Sequence, residues 1–170
     1  LDMITKFEVG DLNLDSTKFD IITEIQNVFD LLEMKADEKN IILMFDEKYI
    51  TPIPVYADKD KIQQVLTNLV MNSIKYGKEN GTTEISIERI NKNKVLVRIQ
   101  DNGDGIEQQH LSRIFERFYR ISKSGSREEG GSGLGLAIVK HIIEAHNEKI
   151  FVQSTPQKGS EFSFTLKTSK

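Results

Sequence analysis

The sequence contains no cysteine. Disulfides, thiol nucleophiles and cysteine-ligated metals are therefore excluded. Histidine is scarce too, at 3 residues: His110, His141 and His146. The last two are five apart on one predicted helix, roughly 140° around its axis, so they form no shared metal face. No apolar run approaches the roughly 18 residues of a membrane span. No signal peptide is visible, and the first residue is Leu1 rather than Met, which leads us to expect a soluble piece of something longer. An excess of basic charge is lacking as well: 23 Lys and Arg face 26 Asp and Glu, a net charge of −3. That argues against binding dominated by nucleic-acid phosphates, but not against a small anion held by a few local donors. What is present is a globular balance, 38% hydrophobic and 29% charged over 170 residues, enough for about one domain with its own core.

Periodicity supplies the elements. Leu1, Ile4 and Phe7, followed by Gly10, suggest the last turns of a helix closed by a glycine. Ile22, Ile25, Val28, Phe29, Leu32 and Ala36 form the stripe of a helix from about Ile21 to Lys39. Ile41 to Phe45 and Val55 to Ala57 are strand candidates, and Asp58 is an expected N-cap. The helix from Lys59 to Tyr76 divides its faces. Ile62, Val65, Leu66, Leu69 and Ser73 lie on one side, and Lys61, Gln64, Asn68, Asn72 and Lys75 on the other. Strands are expected at Glu84–Ile90 and Val95–Gln100, joined by a turn at Asn91–Asn93. A short helical stretch from Leu111 to Tyr119, a helix from Leu134 to His146, and strands at Ile150–Ser154 and Glu161–Leu166 complete the chain. Helices flanking a strand-rich second half predict a two-layer α/β sandwich.

Two glycine clusters and an asparagine pair carry the chemistry. Asp101-Asn102-Gly103-Asp104-Gly105 follows a strand, and Gly130-Gly131-Ser132-Gly133-Leu134-Gly135-Leu136 precedes a helix. Unpaired amides at a helix start make an anion site, and glycine lets phosphate oxygens come close. A glycine-rich loop without a ligand is the alternative. The dinucleotide pattern fails, because Leu136 stands where its third glycine belongs; the P-loop pattern fails, because Gly131 stands where lysine belongs. A calcium loop fails at Gly103. Asn68 and Asn72 are i, i+4 and share a helix face with Lys75. An amide oxygen is a neutral ligand for Mg²⁺, and a lysine meets phosphate as a point charge; a solvated face is the alternative.

Together these residues form a signature. The run Asn68 to Tyr76 resembles the N box of bacterial sensor histidine kinases. Asp101 to Gly105 resembles their G1 box, Ile114 to Arg120 their F box, and Gly131 to Leu136 their G2 box, in the family's order and spacing. The resemblance covers the chain from about Phe19 onward. It implies the catalytic, ATP-binding domain of the GHKL superfamily: a Bergerat-type fold with a mixed sheet and helices on one face. It also implies residues 1–14 as the end of a dimerisation helix with its linker, and 15–170 as the catalytic domain.

The resemblance implies roles as well. Asn72 would hold Mg²⁺, with Asn68 supporting metal and phosphates. Lys75 and Arg120 would contact phosphate, making Asn68, Lys75 and Arg120 the catalytic set. Tyr76 would pack on the adenine and Asp101 would accept from its exocyclic amine, a group that guanine replaces by a carbonyl. Gly103, Gly105 and Ile106 would line the base, and Ser160 would join the nucleotide site. The amides from Gly133 to Leu136 would hold the terminal phosphates, Gly131 would join the nucleotide site, and Ser122–Ser132 would be a lid. None of the three histidines lies in a phosphoacceptor context. The implied reaction is therefore transfer of the ATP γ-phosphate to a histidine on a separate dimerisation domain of the same protein, for relay to a response regulator. The expected setting is cytoplasmic, within a dimeric parent that is either soluble or an inner-membrane sensor, the chain itself being monomeric. The alternatives are a GHKL ATPase or anti-sigma-like serine kinase, and a nucleotide-sensing module without catalysis. The first carries Glu where Asn68 stands, and an amide cannot take a proton.

Overall fold

Buried side chains alternate along three adjacent strands: Ile85 and Ile87, then Val95, Val97 and Ile99, then Phe162, Phe164 and Leu166. This period of two turns one face of a sheet toward a single core and leaves the other polar. The computed structural model describes residues 12–46, 52–119 and 135–169. Its elements are β1 (Ser16–Asp20), α1 (Ile21–Asp37), β2 (Ile42–Phe45), β3 (Pro54–Asp58), α2 (Lys59–Tyr76), β4 (Thr82–Asn91), β5 (Lys94–Asp101), α3 (Gln108–Leu111), α4 (Gly135–Ala145), β6 (Ile150–Thr155) and β7 (Gly159–Thr168). The strands form one 7-stranded mixed sheet in the order β1-β3-β7-β5-β4-β2, with β6 also on β7. The β2–β4 pair is parallel. Helix α2 packs centrally between α1 and α4 on the buried face. The predicted two-layer α/β sandwich is the observed architecture.

Local chemistry accounts for the helix starts. Asp20 caps α1 by accepting from the Ile22 amide, and the same oxygen accepts from Ile53 N at 2.9 Å. Asp58 caps α2 by accepting from Lys61 N at 3.2 Å, as its position before the apolar stripe predicts. His146 serves structure: its Nε2 accepts from Asp58 N at 3.0 Å, tying the end of α4 to the start of α2. Asn147 takes the left-handed conformation, φ 58°, and turns the chain out of α4.

Three expectations need correction. The helix expected over Leu111–Tyr119 is a 4-residue helix that ends at Leu111, and turns follow it. Phe118 sits at φ 66°, which no right-handed helix accommodates. The turn expected at Asn91–Asn93 is tighter, because Asn91 still pairs with Lys94. Strand β1 carries no sequence signal: its exposure does not alternate, and its pairing with β3 makes it a strand. The helix end expected over Leu1–Gly10, the domain boundary after residue 14 as far as it concerns residues 1–11, Arg120, the lid and Gly130–Leu134 lie outside the described residues.

Candidate functional site

The C-terminal end of β5 delivers Asp101 to the end of helix α2, and it is 8% exposed there. Its Oδ1 accepts from the Gly103 amide at 3.0 Å and from the Ser160 amide at 3.3 Å. Among the described residues no hydrogen bond to Oδ2 is found. Burial pushes the Asp101 carboxyl above the usual aspartate range, opposed by these two amides. One oxygen is thus committed to the fold, and the other is an acceptor with no partner in the described chain.

The loop after Asp101 is fixed on three sides. Asn102 Oδ1 accepts from Thr82 N at 2.9 Å. A Cβ at Gly103 would lie 2.4 Å from the Tyr76 carbonyl oxygen, so only glycine lets this loop rest on the end of α2. Gly105 has φ +75°, and a Cβ there would lie 2.2 Å from the Thr155 carbonyl oxygen. The Ile106 amide donates to Ser154 Oγ at 2.6 Å, and the Ser154 hydroxyl pairs with that of Ser160 at 2.8 Å. Ser160 therefore enters the site through Asp101 and Ser154. Gly105→Ala should destabilise the domain by about 2–4 kcal/mol, from a strained φ plus backbone displacement; thermal unfolding would measure it, and an unchanged midpoint would contradict the close packing.

The polar face of α2 lies beside this loop. Asn68 Nδ2 donates to the Gly135 carbonyl at 3.5 Å, which brings the asparagine face to the start of α4. No hydrogen bond of the Asn72 side chain is found among the described residues. Lys75 Nζ lies 5.1 Å from the centre of the Tyr76 ring, and that ring is 39% exposed. Leu136 anchors the start of α4 against the core. No group of three or more His, Cys, Asp or Glu suited to a metal is found among the described residues. The hard donors are amide oxygens, which suits a Mg²⁺ ion that keeps several waters and takes few protein ligands.

The F-box-like aromatics split. Phe115 packs edge-on to Phe162, ring centres 6.1 Å apart, while Phe118 is 63% exposed. Tyr119 Oη is hydrogen-bonded to His110 Nδ1, and Arg113 stacks over the Tyr119 ring at 4.7 Å.

Of the expected site residues, the structure brings together Asn68, Asn72, Lys75, Tyr76, Asp101, Gly103, Gly105, Ile106, Gly135, Leu136 and Ser160 around the α2–β5–α4 junction. Arg120, Gly131, Gly133 and Leu134 lie outside the described residues. The sequence gives no sign of Ser154, whose hydroxyl accepts from the Ile106 amide and donates to the Gly159 carbonyl; an isolated serine in a strand carries no signal for this.

Comparison with known proteins gives a consistent picture. Residues 57–170 match the family described as histidine kinase-, DNA gyrase B- and HSP90-like ATPases. The sensor histidine kinase WalK of Bacillus subtilis is 32% identical over 169 residues, which cover 96% of this chain and 26% of WalK. The chain thus spans about a quarter of that relative. The catalytic domain of histidine kinase ThkA superposes with a TM-score of 0.77 at 32% identity, covering 92% of this chain and 100% of that one. ThkA in complex with the response regulator protein TrrA superposes with a TM-score of 0.77 at 29% identity, over 99% of this chain and 47% of that one.

Proposed function

This chain belongs to the family of histidine kinase-, DNA gyrase B- and HSP90-like ATPases, and from that premise we propose that it is the catalytic, ATP-binding domain of a sensor histidine kinase. It donates the γ-phosphate of ATP to a histidine nitrogen on a dimerisation domain of the same protein. The N–P bond forms as the bond from Pγ to the bridging oxygen breaks, and ADP leaves. Residues 15–170 are the catalytic unit in this reading, and 1–14 lead from the phosphoacceptor helix. The phosphate then passes to a response regulator; the complex of ThkA with TrrA supports that step. The parent works as a dimer with this domain on the cytoplasmic side. Among the described residues no helix is long and apolar enough to cross a membrane.

One observation carries the reading: the buried Asp101 carboxylate, one oxygen held by the Gly103 and Ser160 amides and the other without a partner among the described residues. That oxygen accepts from the adenine amine. Tyr76 packs on the base, and Gly103, Gly105 and Ile106 admit it. Lys75 and Arg120 neutralise phosphate oxygens. The amides from Gly133 to Leu136 cradle the terminal phosphates, with Gly131 joining the nucleotide site. Asn72, with Asn68 beside it, holds Mg²⁺, which supplies charge neutralisation at the phosphates when bound. Catalysis then rests on positioning and electrostatics. Asn68 donates its amide to the Gly135 carbonyl and cannot act as a general base, which separates this site from a self-contained ATPase.

The test supplies the chain with γ-labelled ATP, Mg²⁺ and a histidine phosphoacceptor domain. Acid-labile, base-stable label on the acceptor is expected. Phosphate release by the chain alone, at a rate matching any transfer, would overturn the proposal.

A further inference from the structure

The turn after α1 reaches into the end of α2. Lys39 Nζ donates to the carbonyls of Lys75 at 2.6 Å, Ile74 at 3.1 Å and Gly77 at 3.5 Å. Carbonyls in a last helical turn lack helical partners and form the negative end of the macrodipole, so a cation is favoured there. The backbone carbonyl of Lys39 also accepts from Asn80 N at 2.9 Å. A Cβ at Gly77 would stand 3.1 Å from Ile41 Cδ1. One short turn thus grips both sides of the segment that closes α2.

That segment is also the bed of the Asp101 loop. A Cβ at Gly103 would meet the Tyr76 carbonyl oxygen at 2.4 Å and Gly77 Cα at 2.9 Å, and the Gly103 amide holds Asp101 Oδ1. A continuous path of direct contacts therefore runs from the Lys39 ammonium, through the backbone of residues 75–77, to Gly103 and the Asp101 carboxylate.

We propose that Lys39 is a positioning residue for base recognition: by clamping the carbonyls of Ile74, Lys75 and Gly77 it fixes the Tyr76–Gly77 backbone under Gly103, and so sets the placement of Asp101 relative to Tyr76. This rests on the reading of the Asp101–Tyr76 site as an adenine site. Lys39 touches no nucleotide itself; it acts through the backbone beneath Gly103.

The experiment compares Lys39→Met, Lys39→Gln and Lys39→Arg with the parent chain. ATP and adenosine affinities are read by titration, and folding by circular dichroism and thermal unfolding. Lys39→Met removes the donor and keeps the stem. It should weaken ATP and adenosine alike, by about tenfold, while Lys39→Arg, which keeps a cationic donor, should restore most of the loss. Lys39→Gln, which keeps a neutral donor, should fall between them and serves as the deciding variant if the methionine variant does not fold. Unchanged affinity in a folded Met or Gln variant would overturn the proposal. So would a loss confined to ATP with adenosine unaffected, because that marks a distant charge acting on the phosphates. Asp101→Asn is measured alongside. If it binds ATP as the parent does, the adenine reading itself fails, a result distinct from failure of the Lys39 variants.

Discussion

Asp101→Asn is expected to lower ATP affinity about 100-fold and to reverse the preference between ATP and GTP. The amide oxygen of the new residue can still accept from the Gly103 and Ser160 amides, as Asp101 Oδ1 does now. The −NH₂ group then takes the place of Oδ2. It opposes the adenine amine, donor against donor, and suits the guanine carbonyl. Loss of a hydrogen bond to a charged group at a buried site is worth about 1.5–3 kcal/mol, the upper end of which corresponds to the stated fold-change. Competitive titration with the two nucleotides would measure it; a variant that still prefers ATP by the parental margin removes Asp101 from base recognition.

Burial adds a pH dependence. The Asp101 carboxyl titrates above its ordinary range, so ATP affinity should fall as pH drops through that raised value, earlier than an ordinary aspartate would allow. The sign for stability is the reverse. A carboxyl whose folded pKa is raised favours folding when protonated, and this contribution is lost as pH rises through the folded pKa. At neutral pH the parent therefore holds a charge that burial opposes. The Asn variant should not unfold at a lower temperature than the parent, which separates a binding defect from a folding defect.

Asn72→Ala should abolish the Mg²⁺ dependence of ATP binding and reduce phosphotransfer at least about 100-fold, roughly 3 kcal/mol of transition-state stabilisation. Adenosine binding should be unaffected, because Asn72 serves the metal and the phosphates and adenosine carries neither. Stability should hold or rise slightly: no Asn72 side-chain hydrogen bond is found among the described residues, and alanine is the better helix former. Asn68→Ala differs, since it also removes the 3.5 Å contact to the Gly135 carbonyl that joins α2 to α4. Titration of ATP with and without Mg²⁺ checks both variants. Persisting metal dependence in Asn72→Ala would assign the ion to other ligands.

Much of this arrangement is legible in the amino acids because it is locally encoded. The two faces of α2, the Asp58 cap and the hairpin strands follow from spacing within a dozen residues. The glycine positions at Gly103 and Gly105 are legible as a tight loop, but their reason is not: the atoms that exclude a Cβ belong to Tyr76 and Thr155, far along the chain. The same holds for Lys39, a polar residue at a helix end until the carbonyls of Ile74 and Lys75 are brought to it. β1 is not legible because an edge strand with mixed exposure has no period of its own. The F-box-like segment reads as a longer helix than it forms because its apolar spacing hides the left-handed Phe118.

Strand β7 contacts β5 along one edge and shares the other between β6 and β3. Its partners in β3 are Val55 and Tyr56, opposite Thr168 and Lys167, so this closure spans on the order of a hundred residues and is entropically late. Ser160, whose amide holds Asp101, lies at the beginning of this same strand. A chain that has assembled its helices and the β4–β5 hairpin but not yet docked β7 has no correctly held acceptor for a base. Nucleotide should therefore be blind to partly folded forms and bind the completed sheet alone. By mass action it would deepen the native basin without stabilising those forms, so the ligand would report on completion of folding as well as serve the reaction.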